Sequence, residues 1–360
     1  MTAPSPLFDF DDASALIEAD VDGILRSAAL GGAQIRASVS AADEFLRDRL
    51  RGIHPRSVVL VAGGVRAGRA AELVVALLSD RCAVPLVAAP TTPPWVGPLD
   101  VVVVAGDDAG DPTLVASIDG ALRRSAEVVV DAPDEGPVRS VAAGRAVLLA
   151  PRIHVPTAYV FARHLAVFCA VLTSLETSRL GGAVPDLGRI ADSVDAEAAR
   201  DHPSYEVFEN PAKALATRML SRRVVFAGDS PATAVLARHS TDSLLQIAGV
   251  VATPAALPDV LVARDRLLDS TAASDTYDPF FHDEELDGPA PVAPVRVFVL
   301  STDSDRPAAR RRAAALPDME LVSVVGEFEA REVPPALEQV AVLTVRLEMA
   351  AAYLRLVGGR

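Results

Sequence analysis

The chain has 360 residues, half of them hydrophobic, and a formal net charge of −14, enough apolar material for one large or two medium cores. The acidic balance opposes binding to nucleic acid or to anionic membranes. The most apolar long stretch, residues 159–175, is interrupted by Arg163 and His164 and is too short to span a bilayer. Aromatic residues are only 4%, so the core must be Val, Leu and Ala, which suits parallel sheets buried on both faces. The N-terminus lacks the basic and apolar regions of a signal peptide. Cys82 and Cys169 lie in apolar contexts and form no metal-type pair. A cytoplasmic protein without disulfides, metal or membrane contact is therefore expected.

Residues 1–50 read as a helical segment, with Ile17, Val21, Ile24, Leu25 and Ala28 at helical spacing and Leu46 and Leu50 continuing the stripe. Residues 51–185 read as a first α/β domain. Its strands are expected at 57–62, 84–89, 101–105, 127–131 and 146–150, with helices over 66–78 and from Pro112, and a long helix over 157–179. A helical linker, 186–205, leads to a second α/β domain, 206–360. There a helix starts at Pro211, followed by a strand at 223–227 and a helix from Pro231. Residues 254–294 form a loose, proline-rich stretch. A strand at 295–300, a helix from Pro307, a strand at 320–325 and a terminal helix over 334–356 complete the chain. Short strands alternating with helices predict two tandem, doubly wound parallel sheets flanked by helices.

The segments AGDDAGDPT, FAGDSPAT and VLSTDSDRPA each end a strand and open a helix with Asp or Ser closely followed by Pro. Asp or Ser satisfies the orphan N–H groups, and Pro suits the first turn. In the first of these, strand, glycine-bearing loop and helix start are the components of a phosphate cradle, yet the loop carries Asp107, Asp108 and Asp111. One reading makes Asp111 a helix cap and the other two solvated loop residues. The other makes the loop closed to phosphate, because carboxylates neutralise the potential that would hold an anion. A divalent cation on the three aspartates is a third possibility, but their spacing matches no regular calcium loop. Gly63, Gly64 and Gly68 have the order G-G-x-x-x-G rather than G-x-G-x-x-G, and no acidic residue ends the second strand, so neither a nicotinamide cofactor nor any other is expected.

Taken together, VVLVAGGVRAGRAAELVVALL, VPLVAAPTTPPWVGPLDVVVV, ENPAKALATRMLSRRVVFAG, FFHDEELDG and LTVRLEMAAAYLRLVGG resemble the sugar isomerase (SIS) superfamily. The nearest group is the bifunctional phosphoglucose/phosphomannose isomerases, and within it the TobH-like branch. The resemblance covers roughly residues 50–357. It implies a homodimer acting on a sugar phosphate or related derivative by aldose–ketose isomerisation. That chemistry needs a phosphate clamp, a general base, a cation for the enediolate and a ring-opening acid/base group. The resemblance implies substrate contacts at Gly63, Gly64, Arg66, Asp107, Asp108, Thr157 and Lys213, and catalysis at His282.

These requirements are met unevenly. The family's clamp hydroxyls fall on Ala105, Asp107 and Gly110, and the serine of its glycine turn falls on Val65. Its base glutamate falls near Leu245 and Gln246, neither of which can take a proton from carbon. Where it has an arginine after a proline, this chain has Thr157, and its C-terminal lysine has no counterpart before Arg360. Arg66 could compensate as a cation but, at a helix start, is expected to point to solvent. His282 is either the ring-opening group or one residue of an acidic loop. Lys213, the sole lysine, falls on the family's lysine and is expected to form a hinge salt bridge rather than act in catalysis. Two functions follow: a sugar-phosphate isomerase with unusual catalytic groups, or a silent relative serving as a sensor or partner subunit.

Overall fold

The computed structural model describes residues 9–175, 184–267, 293–314, 316, 319–324 and 333–358. The chain forms two compact units, one of residues 29–196 and one of residues 1–28 with 197–360. Residues 1–50 are thus divided between the two units.

Three helices come first: α1 (Ala13–Ala19), α2 (Ile24–Ala29) and α3 (Gly31–Phe45). The 29–196 unit then alternates β1 (Ser57–Ala62), α4 (Val65–Leu78), β2 (Leu86–Ala89), β3 (Asp100–Ala105), α5 (Pro112–Arg123), β4 (Glu127–Asp131), α6 (Gly136–Ala142) and β5 (Val147–Leu148). A turn at Thr157–Tyr159, α7 (Phe161–Ser174) and α8 (Leu187–Arg200) follow, the unit boundary falling inside α8. All strand pairs are parallel, in the order β2-β1-β3-β4-β5. Side chains alternate between faces. Val59, Val61, Val102, Val104, Val128 and Val130 pack with Leu114 and Ile118 of α5 and Val138 of α6. Val58, Leu60, Val101, Val103 and Val129 face the other way and are equally buried. The valine-rich strands are therefore covered on both sides, as expected of a parallel sheet.

The second unit adds α9 (Pro211–Met219), β6 (Arg223–Gly228), α10 (Pro231–Ser243), β7 (Ala252–Ala256), α11 (Leu257–Val262), β8 (Val295–Leu300), α12 (Arg306–Ala313), β9 (Met319–Val322) and α13 (Ala336–Gly358). Its strands are also parallel, in the order β7-β6-β8-β9. The start of the stretch expected to be loose is regular instead: α11 covers Leu257–Val262, and before it β7 runs through Pro254. This is an edge strand, where a residue without an N–H leaves the ladder intact. Of the three expected cap-and-proline helix starts, Asp111 and Ser230 cap their helices through the side chain, whereas Asp305 precedes α12, with proline in its first turn, without a side-chain cap bond; Asn210 caps α9 in the same manner as the first two.

Candidate functional site

In a doubly wound sheet the ligand crevice lies beyond the C-terminal strand ends where strand order reverses, here between β1 and β3. Two glycine loops meet there. Gly64 adopts φ +91°, a left-handed conformation that glycine accommodates without strain. The Gly63 N–H donates to the Ala105 carbonyl at 2.8 Å, and the Gly106 N–H to the Asp131 carbonyl at 2.9 Å. A Cβ on Gly63 would stand 2.9 Å from Leu114 Cδ1, and one on Gly106 only 3.2 Å from the Gly63 carbonyl. The two loops therefore pack backbone to backbone, with Leu114 wedged against both.

The three aspartates have three separate roles. Asp111 caps α5, its Oδ1 accepting the Thr113 N–H at 2.8 Å. Asp108 is exposed, and its Oδ1 accepts the Gly110 N–H at 2.7 Å. They do not converge on a common point as cation ligands would. Asp107 differs from both and from the solvated role expected of it: its side chain is only 22% exposed and turns inward. Arg163 Nη2 donates to Asp107 Oδ1 at 2.5 Å, and Arg163 Nη1 lies 3.4 Å from Asp131 Oδ1. His164 stands between the same two carboxylates, with Nδ1 2.6 Å from Asp131 Oδ2 and Nε2 3.3 Å from Asp107 Oδ2. Arg163, His164 and Asp131 are almost wholly buried.

His164 lies between two carboxylates, and Arg163 Nη2 stands a further 3.3 Å from its Nε2. Burial alone would push His164 down, but Asp131 and Asp107 outweigh it and its pKa is raised. Burial likewise works to raise Asp107, while its bond to His164 and the charges of His164, Arg163 and Arg66 prevail and hold it below the usual carboxylate range. Asp107, Asp131, Arg163 and His164 thus form a closed latch at the ends of β3 and β4. Arg66, expected in solvent, is instead 3% exposed at the start of α4 and adds its charge to the same cluster. A buried guanidinium needs nearby anions, and Asp107 is one of them.

Gly63, Gly64, Arg66 and Asp107 thus meet at the β1 and β3 ends, with Asp108 on the outer side of the same loop. Thr157 is exposed at the head of its turn. Lys213 belongs to the other unit and is fully buried. Its Nζ donates to the Pro203 and Tyr205 carbonyls at 2.7 and 2.6 Å and lies 5.7 Å from the Tyr353 ring centroid. The expected salt bridge is therefore a clasp on two carbonyls, and burial lowers the Lys213 pKa. Leu245 and Gln246 are exposed on a π-helical turn, Leu244–Ala248. His282 lies outside the described residues. Asp131, Arg163 and His164 do not figure among the sequence-based candidates. Their signals are an aspartate closing a valine strand and two charges interrupting an apolar helix, since buried charges require partners.

No protein-family model matches the chain, and no curated protein matches its sequence. Solved structures do match. A Bacillus subtilis protein assigned as a phosphosugar isomerase superposes with a TM-score of 0.59 at 15% identity, over 89% of this chain and 94% of its own. A Clostridium difficile protein with the same assignment gives 0.62 at 10% identity, over 92% of each. The tagatose-6-phosphate ketose/aldose isomerase of Escherichia coli gives 0.56 at 14%, over 95% of this chain and 92% of its own. The chain has the phosphosugar isomerase fold. At these identities the likeness lies in the fold, and the site has to be argued from its own residues. Among the described residues no helix is long and apolar enough to cross a membrane.

Proposed function

We propose that this chain is a catalytically silent relative of the phosphoglucose/phosphomannose isomerases, of the TobH-like branch. It binds a sugar phosphate or related carbohydrate derivative as a sensor or partner subunit, and it acts as a cytoplasmic homodimer. The observation that carries the reading is the latch. At the β3 loop, where an isomerase of this fold would hold phosphate with hydroxyl donors, the chain supplies its own anion, Asp107, already bound by Arg163 and His164. An incoming phosphate would have to displace that carboxylate from a buried guanidinium. It would also have to separate the two loops, which touch through Gly63, Gly106 and Leu114.

The residues where the resemblance places the general base, Leu245 and Gln246, support the same reading. Proton transfer between C1 and C2 contributes about 10²–10⁴-fold in rate, and neither Leu245 nor Gln246 can perform it. The active-isomerase alternative requires a base from elsewhere in the chain. A coupled assay with fructose 6-phosphate, read against a no-protein control, separates the two. The silent reading expects the control rate, and sustained turnover would reject it.

A further inference from the structure

With the β1–β3 crevice closed, the question is where a carbohydrate ligand could enter. We infer that the anionic-sugar site of this protein is a polar cleft in the second unit, between α9, the edge strand β9 and α13. This rests on the carbohydrate-binding reading above and gives it a location. The cleft has a volume of about 270 Å³, close to the lower bound of about 300 Å³ for small-molecule sites. Three arginines converge on it in a chain of net charge −14: Arg346 from α13, Arg200 from α8 and Arg218 from α9.

The arginines are graded in depth. Arg346 is buried and held in place, its Nε donating to Glu197 at 2.5 Å. Arg200 shares Glu197 at 3.3 Å but keeps its side chain 45% exposed. Arg218 is 39% exposed and pairs with Glu320 of β9 at 2.6 Å. A guanidinium has five donors, and one carboxylate accepts at most two in fork geometry. Pairing with a carboxylate therefore orients each arginine and is compatible with its binding a second anion. An anionic group held by Arg200 and Arg218 has Arg346 below it.

The rest of the lining suits the uncharged portion of a sugar. Glu209 and Glu320 are acceptors for hydroxyl groups. Phe208, on the loop before α9, lines the cleft with 79% of its surface exposed. An exposed aromatic face beside polar groups matches the C–H face of a pyranose, because a large apolar ring in water gains by covering it. The loop bearing Phe208 is anchored from below, since Lys213 clasps the carbonyls of Pro203 and Tyr205. Cations at the mouth, acceptors on the walls and one aromatic platform together describe a site for a hexose phosphate or a sugar acid. Neither a neutral sugar nor free phosphate would use all three features.

The test is calorimetry on the full chain with glucose 6-phosphate, gluconate, glucose and inorganic phosphate as separate probes. Arg200→Ser and Phe208→Ser serve as exposed variants that leave the core untouched, and Arg218→Gln as a third, each checked for an unchanged melting temperature. Glucose 6-phosphate or gluconate is expected to bind at least tenfold more tightly than glucose or phosphate. Each cleft variant is expected to weaken that binding at least tenfold. Binding of an anionic probe that survives all three cleft variants would overturn the cleft while leaving a silent sugar-phosphate binder intact. Isomerase turnover would overturn the silent reading without touching the cleft. Absence of binding by either anionic probe would overturn the inference itself.

Discussion

Replacing Asp107 with alanine should destabilise the unit of residues 29–196, although the residue sits in a surface loop. The substitution leaves the Arg163 guanidinium, 6% exposed, with Asp131 alone at 3.4 Å, and removes one of the two carboxylates flanking His164. Breaking a fully buried ion pair costs about 3–5 kcal/mol, and an exposed pair contributes ~0–1 kcal/mol. With its side chain 22% exposed against partners that are nearly wholly buried, Asp107 falls between these limits, at about 2 kcal/mol. For a unit of this size that lowers the melting temperature by roughly 4–8 °C. Trp95 is the chain's single tryptophan and lies within the same unit, so its fluorescence during urea or thermal unfolding reports this unit. Asp108→Ala is the internal control: the same loop and the same charge removed, but exposed, with an expected change under about 0.5 kcal/mol. Equal, negligible effects from the two substitutions would refute the latch and restore both aspartates as solvated loop residues.

Three further outcomes are expected. Asp111→Ala removes the cap on the Thr113 N–H and should cost about 1 kcal/mol by the same fluorescence measurement. Lys213→Met frees the Pro203 and Tyr205 carbonyls and should cost about 2 kcal/mol. Thermal unfolding by circular dichroism checks this, and Lys213→Arg should not restore the loss, because a planar fork does not match a buried two-carbonyl clasp. The latch should also depend on pH. His164 is raised in the fold, so its contribution is complete below its unfolded value of about 6.5 and is lost as pH rises through the folded value. Asp107 is lowered, so its contribution is complete above about 3.9 and is lost as pH falls through its lower folded value. The stability difference between wild type and His164→Asn should therefore be greatest between about pH 4 and 6.5 and shrink toward alkaline pH; a difference that grows toward pH 9 would be inconsistent with a charged His164.

The strands and caps are legible in the sequence because they are local. Runs such as Val101 to Val104 name a buried strand by themselves, and Asp111-Pro112 marks a helix start within two residues. β7 is not legible, because Pro254 argues against a strand unless the strand is known to lie at an edge, and edge position is a property of the whole sheet. The latch is hidden for the same kind of reason. Asp107 and Arg163 are 56 positions apart, and Asp131 and His164 are 33 apart. Only the parallel order of β3 and β4, with α7 packed behind, brings the four together. Half of the information is nonetheless in the sequence: Arg163 and His164 interrupt an apolar helix, and such charges, if buried, require anions. Which of the many acidic residues supply them is set by the fold alone. Arg66 misleads on the same ground, since a helix start is open to solvent unless the neighbouring loop is acidic and folded inward.

In the proposed silent reading, the fold shared with phosphosugar isomerases is present without isomerase turnover. The most direct measurement follows the C2 proton of glucose 6-phosphate, or the C1 protons of fructose 6-phosphate, in deuterated water in the presence of the purified full chain. No exchange beyond the protein-free rate is expected, because Leu245 and Gln246 stand where the resemblance places the base and Asp107 occupies the β3 loop. Exchange that saturates with substrate and vanishes on substitution of a single carboxylate would contradict this reading, and would identify that carboxylate as the base.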